Sequence, residues 1–184
     1  MSINISRYLL IIITAVFFLS GAFAVKTYDL NLLNFSEKNF YKLNELINQT
    51  FESINVKVYE YDSINEFTQT TGAPFFISAF YNKQGIHIQS KYLLGDRFKM
   101  ALTHELLHYT IRMQYPVPLW FEEGLVCLVT EEFSGVTDII PMKNVEEYDI
   151  RNAENNWELV SYCLGCIQKV QGLLTSGSTK QSIP

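Results

Sequence analysis

Histidine is scarce in this sequence: the 184 residues contain three, His87, His104 and His108. A centre built only of imidazoles therefore has little to draw on. Cysteine is equally sparse at three residues, too few for a paired disulfide framework, and at least one must stay unpaired. Cys163 and Cys166 form a C-x-x-C, but they sit inside an apolar helical pattern with no second pair to complete a metal knuckle, and they read as small buried hydrophobes. Positive charge is the minority, with 14 Lys and Arg against 19 Asp and Glu, a net charge of −5 and a pI near 5.2. Lysine and arginine are scattered without a stripe, so nucleic-acid binding has no electrostatic support. No internal repeat is present.

Long apolar runs are also missing, with one exception at the N-terminus. Arg7 supplies a positive start, Tyr8 to Leu19 an apolar core, and Ala22-Phe23-Ala24 a small-residue cleavage site. Residues 1–24 therefore read as a secretory signal, and the rest as delivered outside the cytoplasm, periplasmic or secreted. The rival is an uncleaved membrane anchor, since Tyr8 to Val25 is just long enough to span a bilayer. Residues 25–176 make one domain, and the Ser, Gly and Thr-rich stretch over 177–184 reads as a disordered tail.

What is present is concentrated near the middle. Thr103-His104-Glu105-Leu106-Leu107-His108 lies in a pattern with Phe98, Ala101, Leu102, Ile111 and Met113 that predicts a helix after a Gly95-Asp96 start. On a helix, residues four apart lie about 40° apart on one face, so both imidazoles can reach one ion. This is the H-E-x-x-H arrangement: two zinc ligands, His104 and His108, and a carboxylate, Glu105, placed to take a proton from an attacking water. An amphipathic helix with two satisfied histidines is the bland alternative, but polar side chains within an otherwise buried helix need a partner.

A catalytic zinc keeps three protein ligands and one open position. With His87 upstream, a carboxylate is the favoured third donor. Pro116 ends the first helix and Pro118 can open the next, so the two helices should pack antiparallel across a short connection. Counting about 1.5 Å per residue out from His108 and back from Pro118 returns Glu123 to the level of His108, with Gly124 permitting close approach. Glu122, about 100° around the helix, is expected to face elsewhere. A solvated first-turn carboxylate is the competing account of Glu123.

His104-Glu-Leu-Leu-His108 followed by Trp120-Phe-Glu-Glu123-Gly resembles the gluzincin clan of metallopeptidases, in particular the peptidase MA-like proteins with a second motif of the form W-x-x-E-G. The resemblance implies Zn2+ as cofactor, His104, His108 and Glu123 as ligands, Glu105 as general base, and a peptide or protein as substrate. No glycine and third histidine follow His108 at metzincin spacing, and no Gly-Ala-Met-Glu-Asn exopeptidase signature is present. The implied fold is α+β and zincin-like, a small antiparallel or mixed sheet packed on the H-E-x-x-H helix with a helical C-terminal part.

The remaining elements fit around that helix. Ser36 opens a helix carrying Phe40, Leu43, Ile47 and Phe51; Ile54 to Tyr61 alternates as a half-buried strand; Ser63 and Glu66 form a capping box. Phe75 to Tyr81 and Gly85 to Ser90 predict a hairpin, with His87 on its surface. Ser78-Ala79-Phe80-Tyr81-Asn82 resembles the substrate-binding edge strand of thermolysin-like enzymes, which would give Ala79 and Phe80 a substrate-binding role. Residues 133–156 predict an irregular loop over one end of the cleft, and Trp157 to Leu174 a final helix. Within it Tyr162-Cys-Leu-Gly165 resembles the Tyr-x-x-Gly helix start of gluzincin aminopeptidases, which would make Tyr162 the donor to the tetrahedral intermediate, ahead of Tyr109 and Tyr148. Two other classes remain open: an inactive zincin-fold binding protein of the cell envelope, and a metal-free structural protein.

Overall fold

The computed structural model describes residues 26–27, 36–47 and 56–176. The expected signal, the tail, Phe51 and Ile54 lie outside them. The architecture is α+β. Four strands, β1 (Lys26–Thr27), β2 (Val58–Tyr61), β3 (Ala79–Asn82) and β4 (Gly85–Gln89), form one mixed sheet in the order β1-β2-β4-β3. β2 and β4 run parallel, whereas β1 and β3 pair antiparallel with their neighbours. β3 is therefore an edge.

Helix α1 (Glu37–Ile47) buries Phe40 and Leu43. Helix α2 (Ile64–Thr71) starts as the sequence predicts: Ser63 Oγ accepts from the Glu66 amide at 3.1 Å, and Glu66 reaches back to the Asp62 amide. Gly72 closes it at φ 73°, a left-handed conformation that glycine adopts without penalty. A single turn, α3 (Lys91–Leu94), precedes the central helix α4 (Arg97–Gln114). Helix α5 (Leu119–Thr130) follows after Pro116 and Pro118, and α6 (Asn156–Thr175) is capped by Asn155, which accepts from the amides of Trp157 and Glu158. Between them, residues 131–155 are irregular apart from a 3-10 turn at Ile150–Asn152. No helix among the described residues is long and apolar enough to cross a membrane.

The sheet has two unlike faces, because alternate residues point to opposite sides. Val58, Ile86 and Ile88 pack with Leu102, Leu106, Leu107 and Ile111 of α4 in the main core. The other face carries an aromatic row in which His87 stacks between Tyr59, at 4.9 Å, and Phe80, at 5.0 Å. His87 is thus buried instead of lying on the strand surface, and its Nδ1 is 2.7 Å from the Tyr61 hydroxyl. Burial lowers its pKa, so the ring is neutral. Of the strand predicted over Ile54 to Tyr61, the described part is strand over Val58–Tyr61, and the hairpin predicted from Phe75 begins only at Ala79.

Helices α5 and α6 cross at close range. A Cβ on Gly124 would lie 2.6 Å from the Cys166 carbonyl oxygen, so this glycine serves the contact with α6 and not, as expected, the one with α4.

Candidate metal centre

Proline sets the site. Pro116 cannot continue α4, Pro118 opens α5, and the reversal lays α5 back against α4. His104 and His108 sit one turn apart with ring centroids 4.7 Å apart. Their Nε2 atoms are 2.9 Å from each other. Glu123 closes the triangle: Oε1 is 3.5 Å from His104 Nε2 and Oε2 is 3.1 Å from His108 Nε2. Three donor atoms bound tetrahedrally at about 2.05 Å stand roughly 3.3 Å apart, so these spacings fit a single small cation held between them. The three side chains form a candidate metal-binding group.

The far side of each imidazole is occupied by a carboxylate. Glu122 Oε1 lies 2.5 Å from His108 Nδ1, and Glu132 Oε2 lies 2.8 Å from His104 Nδ1. The second contact is close but poorly aligned, since neither of its atoms has a hydrogen-bond partner by geometry. A carboxylate at Nδ1 keeps the proton there and leaves Nε2 with its lone pair directed at the shared point. Glu122 also accepts from Arg112 Nε at 2.8 and 3.0 Å, and only 3% of its side chain is exposed. Glu122 was expected to face elsewhere; it faces inward because α5 is enclosed by α4 on one side and α6 on another. An arginine four residues after His108 on the same helix was the available signal.

Charge explains why a cation belongs here. Burial alone would lower the pKa of both histidines, yet nearby carboxylates win: Glu123 and Glu122 hold His108 at about 9, and Glu132 and Glu123 hold His104 well above its ordinary value. Burial likewise opposes ionisation of Glu123, but the two imidazoles pull its pKa well below the usual carboxylate range. Without metal, protons on the rings supply the missing positive charge. Glu105 differs in sign: burial raises its pKa although both histidines pull it down.

Behind Glu123 lie two thiols. Cys127 Sγ and Cys163 Sγ are each 3.4 Å from Glu123 Oε1. Glu123, Cys127 and Cys163 are close enough to form a second, overlapping donor set. Burial raises the Cys127 pKa well above the ordinary value. For Cys163 the hydrogen bond with Cys127 pulls downward, but burial and Glu123 outweigh it. In the metal-free protein both thiols are therefore protonated and donate to the carboxylate.

A cleft of about 900 Å³ opens onto these groups, lined by His104, Glu105, His108 and Glu123. Residues 78–82 of the β3 edge form one wall, and Phe133, Ile150 and Arg151 from the irregular segment form another. In the β3–β4 pair the Gln89 amide donates to the Ser78 carbonyl, so by alternation Phe80 and Asn82 spend their backbone groups on β4. Ala79 and Tyr81 present theirs outward. Ala79 thus offers free ladder groups along the cleft, whereas Phe80 contributes its ring, packed on His87. Tyr162 is not brought to the cleft: at 1% exposure it lies in a cluster with Cys127, Val145, Cys163 and Cys166. Tyr148 bonds Glu158 nearby, and Tyr109 packs on Tyr81. Among the described tyrosines only Tyr81 lines the cleft.

No protein-family model, no curated protein and no solved structure matches this chain.

Proposed function

We propose that this protein is a zinc-dependent metallopeptidase with a zincin-like fold, acting on peptide bonds outside the cytoplasm. One observation carries the reading: two imidazole Nε2 atoms and a carboxylate converge on one point at spacings of 2.9, 3.1 and 3.5 Å, with Glu105 beside them in an open cleft. His104, His108 and Glu123 would hold the ion, and the donor set of two imidazoles and a carboxylate with a position to spare suits catalytic zinc. Bound zinc supplies Lewis acidity, lowering the pKa of water toward about 7 and polarising a carbonyl.

The chain's own groups do the rest. Glu122 fixes the His108 tautomer, and the Glu132 carboxylate stands beside the corresponding nitrogen of His104. Glu105 accepts a proton from the attacking water and returns it to the departing amine, a role matched to a carboxylate whose pKa burial has raised. An extended substrate adds to the β3 edge through the outward groups of Ala79 and Tyr81, the strand-addition mode of peptide recognition. The N-terminal signal pattern supports export.

Turnover of a quenched fluorogenic peptide library by zinc-loaded wild type and Glu105→Gln tests this directly. Wild type is expected to cleave, and the variant to bind zinc equally but lose at least about a hundredfold in kcat/KM, the usual worth of a general base. Equal zinc binding with no cleavage by wild type would leave a zinc-binding protein and not a peptidase.

A further inference from the structure

The arginines of this chain are unevenly placed. Arg97, Arg112 and Arg151, the three among the described residues, all line the cleft, and none of the described lysines does. Outside the metal-site groups, every charged side chain lining the cleft is an arginine. A chain with a net charge of −5 has thus gathered the cations suited to bidentate carboxylate recognition in one place.

Their positions follow from the helix. Around α4, Arg97, His104, His108 and Arg112 fall within about 80° of one another, with Arg97 roughly 10 Å before His104 and Arg112 roughly 6 Å after His108. The two guanidinium groups therefore flank the metal ligands on one stripe. Arg97 is exposed and has no ion-pair partner among the described residues. Arg112 is anchored through Nε to Glu122, its guanidinium carbon 5.5 Å over the Tyr81 ring, which leaves its two terminal nitrogens to donate at the β3 wall. Arg151, from the irregular segment, already holds Asp149 through both Nε and Nη2, so the unspent charge at the cleft is that of Arg97 and the terminal nitrogens of Arg112.

Resting on the peptidase reading of the same cleft, we infer that the substrate is an acidic peptide, with carboxylate side chains flanking the bond held at the metal. At about 3.3 Å per residue in an extended chain, Arg97 meets a side chain about three positions away, and Arg112 one about two positions away on the other side. A lysine at those positions faces a fixed cation in a partly enclosed cleft and is rejected.

The test uses the full chain, zinc-loaded, with Glu105→Gln to prevent turnover. Fluorescence anisotropy reads the binding of three peptides of one length that carry Glu, Gln or Lys at the flanking positions. The Glu peptide is expected to bind about tenfold more tightly than the Gln peptide, as a charge-assisted hydrogen bond implies, and the Lys peptide least, with the spread shrinking at high salt. Arg97→Gln should reduce the preference and Arg97→Glu invert it at that end. Lys99→Ala, about 140° around the helix from His104, should change nothing, which separates a placed contact from general charge. Equal binding of the three peptides, or a ranking untouched by both Arg97 substitutions, overturns the inference. The same peptides given to wild type distinguish the two readings: cleavage without ranking sinks the acidic substrate alone, whereas ranked binding without cleavage sinks the peptidase and leaves the acidic ligand.

Discussion

Four glutamates crowd this centre, and each touches a different atom. Glu123 meets the two Nε2 atoms, Glu122 and Glu132 the two Nδ1 atoms, and Glu105 lies beside them in the cleft. Removing an Nδ1 carboxylate should therefore act on metal affinity before it acts on chemistry. Glu122→Gln and Glu132→Gln are each expected to weaken zinc binding by about 10- to 100-fold, as for other carboxylates behind ligating histidines; competition with a chromophoric chelator measures it, and unchanged affinity in both would mean that the Nδ1 contacts are incidental. Protons make a second readout. In the metal-free protein His108 titrates at about 9 against an ordinary value of 6.5, so its protonated form contributes stability fully below about 6.5 that is lost as pH rises through 9. Thermal melts of the apo-protein should fall across that window, and melts of the zinc-loaded protein should not, because the ion replaces the proton. Zinc binding at pH 7 should correspondingly release protons, visible by calorimetry in buffers of different ionisation enthalpy. His104, Glu105, His108 and Glu123 were legible in the sequence because spacing on a helix and a proline-set reversal fix where they go. Glu122 was not, since a 100° helical offset excludes a residue only when one face of the helix is buried, and α5 is buried nearly all round; Glu132 was not, since it lies past the end of α5 in a turn that no helical spacing places. His87 failed for a related reason: the helix α2 that covers its face of the sheet is not readable from alternation within the strand.

Helices carried more of their own positions than strands did. Both ends of α2, the end of α4 and the starts of α5 and α6 follow from Ser63, Gly72, Pro116, Pro118 and Asn155, local groups that satisfy or remove backbone donors. β3 starts later than its apolar pattern, because a strand lasts only as long as its neighbour: Ala79 already pairs with Ile88, and β4 ends at Gln89. The glycine of the second motif was placed in the right element with the wrong partner. It belongs to the α5–α6 crossing, where an added methyl would meet the Cys166 carbonyl at 2.6 Å and Val170 at 2.6 Å. Gly124→Ala is expected to lower stability by about 1 to 3 kcal/mol through overpacking, partly offset by the better helix propensity of alanine. Since Cys163 and Cys166 lie on the displaced helix, the same variant should also disturb the thiol contact on Glu123 and weaken zinc binding; a chemical denaturation curve with a matched zinc titration checks both. Stability unchanged would show that α6 shifts freely.

At the scale of the molecule, the candidate metal-binding group sits at the junction of the layers, with the sheet and α4 on one side and α5 and α6 on the other. An ion that binds only the folded arrangement stabilises all of it, by about 2.7 kcal/mol when free zinc is a hundredfold above Kd. Chelation should lower the Tm of the whole domain in one transition, and restored zinc should return it; a Tm indifferent to chelation would detach the site from the fold. The most direct test of the centre is zinc K-edge absorption spectroscopy on the full chain loaded with one equivalent of zinc. The expected first shell holds two nitrogens at about 2.0 to 2.1 Å and carboxylate or water oxygen at about 2.0 to 2.2 Å, from His104, His108 and Glu123 with one position open. Sulfur scattering at about 2.3 Å would instead put the ion on Cys127 and Cys163 and contradict the proposed centre.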